Sequence, residues 1–262
     1  MEFNNEAAFV TGGANGLGFA IARALADRGV DLALADIQPD ALEVAANALR
    51  KTGVEVLTVQ ADVSDREQVG AAVETTVDRY GAIDIVINNA RVGDAGSPLD
   101  SITPEFFDWM VQVNLYGVMN VMSATVPLLK KEGRGGRILN TSSMAGLVVM
   151  PGWNQGLYSA TKMASLDLRS VLKIHDIGVC ALCPGLVETS ITQNASCLRS
   201  SNITDQLPDF PDMLQSGGMI AATAADFAVA GLAQNKAIIV NHPELWPLVE
   251  TFHETIRASF FE

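Results

Sequence analysis

The sequence predicts an α/β fold in which a single doubly wound parallel sheet carries helices on both faces. Three observations lead there: short runs rich in Val, Ile and Ala recur along the 262 residues, these runs are apolar throughout, and longer stretches of helical periodicity separate them. Continuously apolar strands suit a sheet covered on both sides, and strict alternation of strand and helix implies parallel neighbours joined by right-handed crossovers.

Taken in chain order, EAAFVT (6–11) is the first strand, and a glycine turn after it opens a helix over 16–28. DLALAD (31–36) and EVLTVQ (55–60) are the next two strands, separated by a helix over 39–51. A helix over 65–80 leads to IDIVIN (83–88), and one long helix over 103–131 leads to GRILNTS (136–142). A helix over 156–174 precedes GVCALC (178–183), and a last helix over 223–234 precedes AIIV (237–240). The interval 187–220 breaks the rhythm with Ser, Asn, Asp and two prolines at the carboxyl edge of a late strand, where open α/β sheets bind ligands, so it is expected to be a substrate lid. With no linker, repeat or low-complexity tract, residues 1–262 are expected to form one domain.

Composition narrows the function. Apolar residues make up 48% of the chain, which excludes disorder, and 30 acids against 17 bases give a net charge of −13. Such a chain repels phosphate polymers and anionic membranes, so neither nucleic acid nor a membrane is expected as a partner. No apolar run approaches the ~20 residues of a membrane span and the start lacks the order of a signal peptide, so a cytoplasmic protein is expected. Three cysteines imply no disulfide framework. Cys180 and Cys183 match CxxC, but that spacing on a strand puts them on opposite faces, which favours buried structural cysteines over redox or metal chemistry. His175, His242 and His253 lie far apart, so no metal is expected, and Met110, Met119 and Met122 are expected to pack in the core.

After the first strand comes Thr11-Gly12-Gly13-Ala14-Asn15-Gly16-Leu17-Gly18. Glycines between strand and helix let the backbone approach a pyrophosphate, and the helix N-terminus faces its charge. Asp36 closes the second strand, 18 residues past Gly18. A carboxylate there accepts from both adenosine ribose hydroxyls and repels a 2′-phosphate; Ala14, Asn15 and Ile37 offer no cation for that phosphate, so NAD is expected over NADP. A solvated turn Asp is the alternative. Asp62-Val63, after the third strand, is placed to meet the adenine edge.

Further along the same edge lie Asn88-Asn89-Ala90, Asn140-Thr141-Ser142-Ser143 and Cys183-Pro184-Gly185, and then Tyr158-Ser159-Ala160-Thr161-Lys162. The i, i+4 spacing stacks Tyr158 and Lys162 on one helix face. A phenol ionises near ~10, but an adjacent ammonium and an oxidised nicotinamide favour phenolate, which makes a general base. Each residue also has a local reading as a surface pair, a strand end or a helix brace.

In this order the motifs resemble the short-chain dehydrogenases/reductases across essentially the whole chain: the TGxxxGxG turn, the acidic residue after strand two, NNA, the helix Asn, SS, YxxxK, and Pro184-Gly185-Leu186-Val187-Glu188-Thr189. A weaker likeness, in Phe107-Asp108-Trp109 and in the ending IIVNHPELWPLVETF, is to dehydrogenases of lignin-derived aryl alcohols. The resemblance implies a Rossmann-type fold and an NAD-dependent alcohol dehydrogenase. It implies Tyr158 as acid/base, Ser143 on the reacting oxygen, Lys162 on the tyrosine and ribose, and Asn114 anchoring a proton-relay water. It also implies Asn88 and Ala90 beside the nicotinamide ribose, and the Val187 backbone and Thr189 on the carboxamide. A homo-oligomer, dimer or tetramer, is implied as well. A nucleotide-binding redox sensor that does not turn over is the alternative from another class, and transient NAD use in epimerisation or dehydration is another enzymatic one.

Three departures accompany the resemblance. Arg91 stands where the pattern has the glycine of NNAG, and is expected to reach solvent. Ser143 precedes Tyr158 by 15 residues, two more than the pattern, with Trp153 in the enlarged loop. The helix after Tyr158 is about one turn short before Ile177. Val148, Val149, Met150 and Trp153, with Leu186 and Ile191, suggest an apolar pocket for an aromatic secondary alcohol or a hydroxysteroid.

Overall fold

A computed structural model describes residues 3, 6–93, 98–132, 135–148, 155–164, 176–189 and 218–261. The strands are β1 (Ala7–Thr11), β2 (Asp31–Asp36), β3 (Val56–Gln60), β4 (Ile85–Asn88), β5 (Gly136–Thr141), β6 (Ile177–Cys183), a short pair β7 (Val187–Glu188) and β8 (Met219–Ile220), and β9 (Ile238–Val240). Seven of them form one parallel sheet in the order β3-β2-β1-β4-β5-β6-β9. The α-helices are α1 (Gly16–Ala26), α2 (Pro39–Leu49), α3 (Arg66–Tyr80), α4 (Pro104–Val111), α5 (Gly117–Glu132), α6 (Gly156–Ala164), α7 (Ala221–Ala233) and α8 (Trp246–Phe261).

The period-two geometry of a strand sorts its side chains into two cores. Ala8, Val10, Leu32, Leu34, Ile85 and Ile87 face α1, α2 and α7, where Leu17, Ile21, Leu25, Leu49 and Ala228 meet them. Their immediate neighbours Phe9, Ala33, Ala35 and Val86 point the other way, onto Val69 and Val73 of α3 and Val118 and Val121 of α5. Every residue of β1, β4 and β6 is buried, which is why these strands are apolar without alternation. Cys180 and Cys183 are buried on β6: Cys180 joins the first core, and Cys183 a separate cluster with Met144, Val148 and Val249.

Helix ends follow local chemistry. Asp65 caps α3 by accepting from the backbone N–H groups of Glu67 and Gln68 at 2.9 and 3.1 Å, and Gln68 donates back to the same carboxylate. Gly81 ends that helix at φ 79°, a left-handed conformation suited to glycine. Thr103 caps α4 with Pro104 in its first turn.

Several expectations change. The helix over 103–131 is not continuous: α4 and α5 are joined by a π-helical turn at Gln112–Tyr116, whose wider ring leaves no trace in apolar spacing. Met110 and Met122 are buried but Met119 is 41% exposed, because it falls on the outer face of α5. The shortened helix after Tyr158 is described only to Ala164, so its remainder lies outside the described residues, as do Val149, Met150, Trp153, His175 and Ile191. The expected lid is described at its ends alone, where β7 and β8 pair in parallel, Val187 with Met219 and Glu188 with Ile220. No helix among the described residues is long and apolar enough to cross a membrane.

Candidate active site

The carboxyl ends of β1, β2, β3 and β4 frame a cavity of about 260 Å³. Its wall includes Gly12, Asn15, Gly16, Leu17, Asp36, Ile37, Asp62, Val63, Ala90 and Thr189, all drawn from the motifs read in the sequence. The turn after β1 needs its glycines. Gly12 and Gly16 have φ of +62° and +55°, and a Cβ on Gly18 would sit 2.0 Å from the Gly12 carbonyl oxygen. The start of α1 therefore lies against the turn without a side chain between them, which is the cradle a pyrophosphate requires.

Asp36 stands at the far wall, 9% exposed, with Oδ2 accepting from Ala14 N and Oδ1 from Gln38 N, each at 3.2 Å. Burial raises its pKa above the usual carboxylate value, opposed by the backbone N–H groups of Gln38, Ala14 and Ile37. These two bonds leave acceptor capacity on both oxygens. Asp62 is held by Ser64, whose N–H and hydroxyl donate to Oδ1 at 2.8 and 2.7 Å. The glycine turn, the α1 N-terminus and a carboxylate at the end of β2 fit a nicotinamide dinucleotide.

Asn89 stitches the turn to β4, donating from Nδ2 to the carbonyls of Thr11 and Gly12 at 3.2 and 3.1 Å. Asn88 lies deeper, its Nδ2 donating to Asn140 Oδ1 at 2.8 Å, and it is not part of the cavity wall. Gly18, Pro184, Gly185 and Val187 are also set back from that wall. Met144 N donates to Pro184 O, Gly185 N to Asn241 Oδ1, and Val187 belongs to β7.

The chemistry-bearing residues converge from four elements. α6 places Tyr158 and Lys162 one turn apart, and Lys162 Nζ lies 5.5 Å from the centre of the Tyr158 ring. Ser143, just after β5, accepts from Ala145 N at 3.1 Å, and its hydroxyl is among the groups that lower the Tyr158 pKa. Lys162 is 2% exposed and donates to Thr141 O at 3.1 Å, while Ser142 Oγ donates to Lys162 O at 2.7 Å. Asn114 sits in the π-helical turn, 1% exposed; its Oδ1 accepts from Val92 N and its Nδ2 donates to Val92 O and to Thr161 Oγ1. Thr161 in turn donates to Tyr158 O. Asn114 thus ties the helical turn, the segment after β4 and α6 into one unit.

One expectation is revised. Arg91 does not extend into solvent: it is half-buried on the cavity wall and its Nη1 donates to Asn89 Oδ1 at 2.9 Å. Asn89, already fixed to the glycine turn, presents the acceptor that folds the side chain back. The Tyr158 phenol is pushed up by burial, the largest influence, and drawn down by Arg91 and Ser143. Lys162 is held well below the ordinary lysine value by burial and then by repulsion from Arg91, with Cys183 opposing. Besides Arg91, the sequence reading missed Asn89, Val92, Trp109 and Val113 on the cavity wall and Thr161 behind Tyr158. Each lies in or beside a stretch already singled out, Asn89 and Val92 at NNA, Val113 next to Asn114, Trp109 in Phe107-Asp108-Trp109 and Thr161 within YxxxK, so the signal was proximity to those motifs.

The short chain dehydrogenase family model matches residues 6–197. A CLA biosynthesis dehydrogenase/reductase from Lactiplantibacillus plantarum is 32% identical over 266 residues, covering 95% of this chain and 92% of the relative. A C alpha-dehydrogenase from Sphingobium sp. (strain NBRC 103272 / SYK-6) is 29% identical, covering 98% and 87%. Among solved structures, a short chain dehydrogenase/reductase from Burkholderia phymatum in complex with NAD superposes with a TM-score of 0.88 at 29% identity, covering 99% and 96%. The relatives bear the names of enzymes, which weighs against a sensor without turnover. Whole-length similarity therefore joins the sheet order and the convergent Tyr158, Lys162 and Ser143, and the chain belongs to the short chain dehydrogenase family.

Proposed function

We propose that the protein is an NAD-dependent alcohol dehydrogenase that transfers hydride between a secondary alcohol or its ketone and nicotinamide, with Tyr158 as acid/base. The observation that carries this reading is the seating of Lys162 Nζ 5.5 Å from the Tyr158 ring in a fold whose dinucleotide-type cavity begins at Asp36.

Bound in that cavity, nicotinamide supplies the hydride acceptor for oxidation and the donor for reduction. Gly12, Asn15, Gly16, Leu17 and Gly18 would hold the pyrophosphate, and Asp36 with Ile37 the adenosine ribose. Asp62 and Val63 would meet the adenine. Asn88, Ala90, Pro184, Gly185, Val187 and Thr189 would frame the nicotinamide end. As the carbinol C–H bond breaks with its electron pair, the hydroxyl proton passes to the Tyr158 phenolate and the C=O bond forms. Ser143 donates to the reacting oxygen, Lys162 holds the ribose, and Asn114 in its widened turn anchors the exit of the proton. The asymmetry of Asp36, an acceptor with no cation nearby on the glycine turn, favours NAD over NADP.

The substrate side is apolar: Tyr158 packs with Val92, Phe106, Met110 and Leu157, and Trp109 borders them. With the name of the Sphingobium relative, this supports a bulky, aromatic or steroid-like secondary alcohol, admitted under a lid at 187–220. Exposed Trp246, Ile256, Phe260 and Phe261 on α8 support a homo-oligomer.

The test is Tyr158→Phe. Reduced nicotinamide formed from NAD and a panel of aromatic, steroid and aliphatic secondary alcohols is followed by absorbance. Turnover should be lost while NAD affinity stays within a few-fold, because the change removes the proton acceptor and leaves the pyrophosphate cradle. Equal activity in the variant would sink the assignment.

A further inference from the structure

The segment after β3 is a tight turn whose backbone groups are taken up from several elements. Asp65 N donates to Asp62 O at 3.1 Å, and Ala61 N donates to Asp36 O at 3.0 Å, which ties the segment to the end of β2. From α3, Gln68 Oε1 accepts from Asp62 N at 3.1 Å. The next two carbonyls, of Val63 and Ser64, are reached from α5, where Asn120 Nδ2 donates to them at 2.9 and 3.4 Å. One turn earlier on the same helix, a Cβ on Gly117 would stand 2.7 Å from Val63 Cγ2. Val63 is buried and forms part of the cavity wall with Asp62, whereas Asn120 is half-buried behind it and is not on that wall.

We propose that Asn120 is a positioning residue that, with Gly117 one turn before it, fixes the wall of Asp62 and Val63 so that it selects adenine over hypoxanthine in the dinucleotide. This rests on the cavity being the seat of NAD in the dehydrogenase proposed above. The chain of contacts is direct. Asn120 holds the Ser64 carbonyl, and the N–H and hydroxyl of Ser64 both donate to Asp62 Oδ1, at 2.8 and 2.7 Å. Both bonds go to one oxygen, which leaves Oδ2 to accept from a ligand.

The exocyclic amino group of adenine is a donor and suits that oxygen. Hypoxanthine carries a carbonyl at the same place, so an acceptor would meet an acceptor and both would be left unpaired. Such discrimination is only as sharp as the carboxylate is fixed, because a wall free to shift accommodates either base. Asp62 is held from α3 at its N–H and from Ser64 at its side chain, and Asn120 supplies the remaining tie, to a helix 56 residues further along the chain. The bare backbone at Gly117 lets α5 come close enough to make it.

Two variants separate this role from general bracing. Asn120→Leu keeps the volume and removes both donors, and Gly117→Ala keeps the donors and displaces Val63. Affinities for NAD and for nicotinamide hypoxanthine dinucleotide are measured by quenching of tryptophan fluorescence, with thermal unfolding followed alongside. The parent should favour NAD by roughly tenfold or more, as expected for one hydrogen bond to a charged group. In Asn120→Leu that preference should fall to about threefold or less, through weaker NAD and little change in the hypoxanthine compound. Gly117→Ala should move it in the same direction. A role confined to bracing the fold would lower the melting temperature and weaken both dinucleotides in proportion.

An unchanged ratio in Asn120→Leu, or in Gly117→Ala if the first variant does not fold, overturns the proposal and leaves the dehydrogenase reading intact. A parent that binds the two dinucleotides equally does the same. A parent that binds neither removes the reading of the cavity as an NAD site, and the proposal with it.

Discussion

Asp36 shows how a single carboxylate reports on cofactor choice. It is buried and its pKa is raised by desolvation, yet both oxygens already accept backbone N–H bonds and retain lone pairs toward the cavity. Ionised Asp36 is therefore better solvated once ribose hydroxyls donate to it. Asp36→Ala should narrow the NAD over NADP preference mainly by weakening NAD, as measured by titration with both dinucleotides; an unchanged ratio would show that the side chain does not touch the ribose. In the parent protein NAD affinity should weaken as pH falls through the raised pKa, because the protonated acid offers one acceptor fewer. The Asp alone retains its structural role at low pH: as a carboxyl with an elevated folded pKa, it favours the native state below its unfolded value and loses that contribution as pH rises through the folded one.

At the scale of elements, the close seating of α1 on the glycine turn has a measurable consequence. Gly18→Ala would place a methyl 2.0 Å from Gly12 O and 2.4 Å from Asn89 Nδ2, both held by backbone or by two hydrogen bonds. Overpacking of this kind costs about 1–3 kcal/mol, so thermal unfolding should drop by several degrees and NAD binding should be lost; a variant with the parent's melting temperature and affinity would contradict the seating. The strands of the main sheet were legible to within a residue or two because burial on both faces leaves uninterrupted apolar runs, as in β4 and β6. What escaped has physical reasons. α8 buries only Val249, so its apolar residues Trp246, Ile256 and Phe260 face outward and the helix lies beyond the strand–helix alternation that marks the rest of the fold. β7 and β8 are two residues each, too short for any alternation. In the candidate site, the residue types and order in TGxxxGxG and YxxxK were readable, but the direction of Arg91 was not, because Asn89 sets it through a contact to the glycine turn 77 residues away.

The whole molecule carries −13 charges, and its proposed cofactor is itself an anion. The site attracts the pyrophosphate only at short range, through the α1 N-terminus and the turn, while the distant field repels it. Salt screens the distant field first, so NAD association should quicken as ionic strength rises from low values, as followed by stopped-flow fluorescence. Slower association with added salt would mean that a local positive surface outweighs the net charge. The clasp of Val187 with Met219 and Glu188 with Ile220 has a bearing of another kind. It joins the ends of the intervening chain one strand spacing apart, so the polymer statistics of closing that loop are settled by the clasp and barely by its contents. Doubling such a loop costs only ~0.6 kcal/mol in closure entropy. The fold can therefore exchange the intervening chain as a cassette while the cofactor half remains as it is.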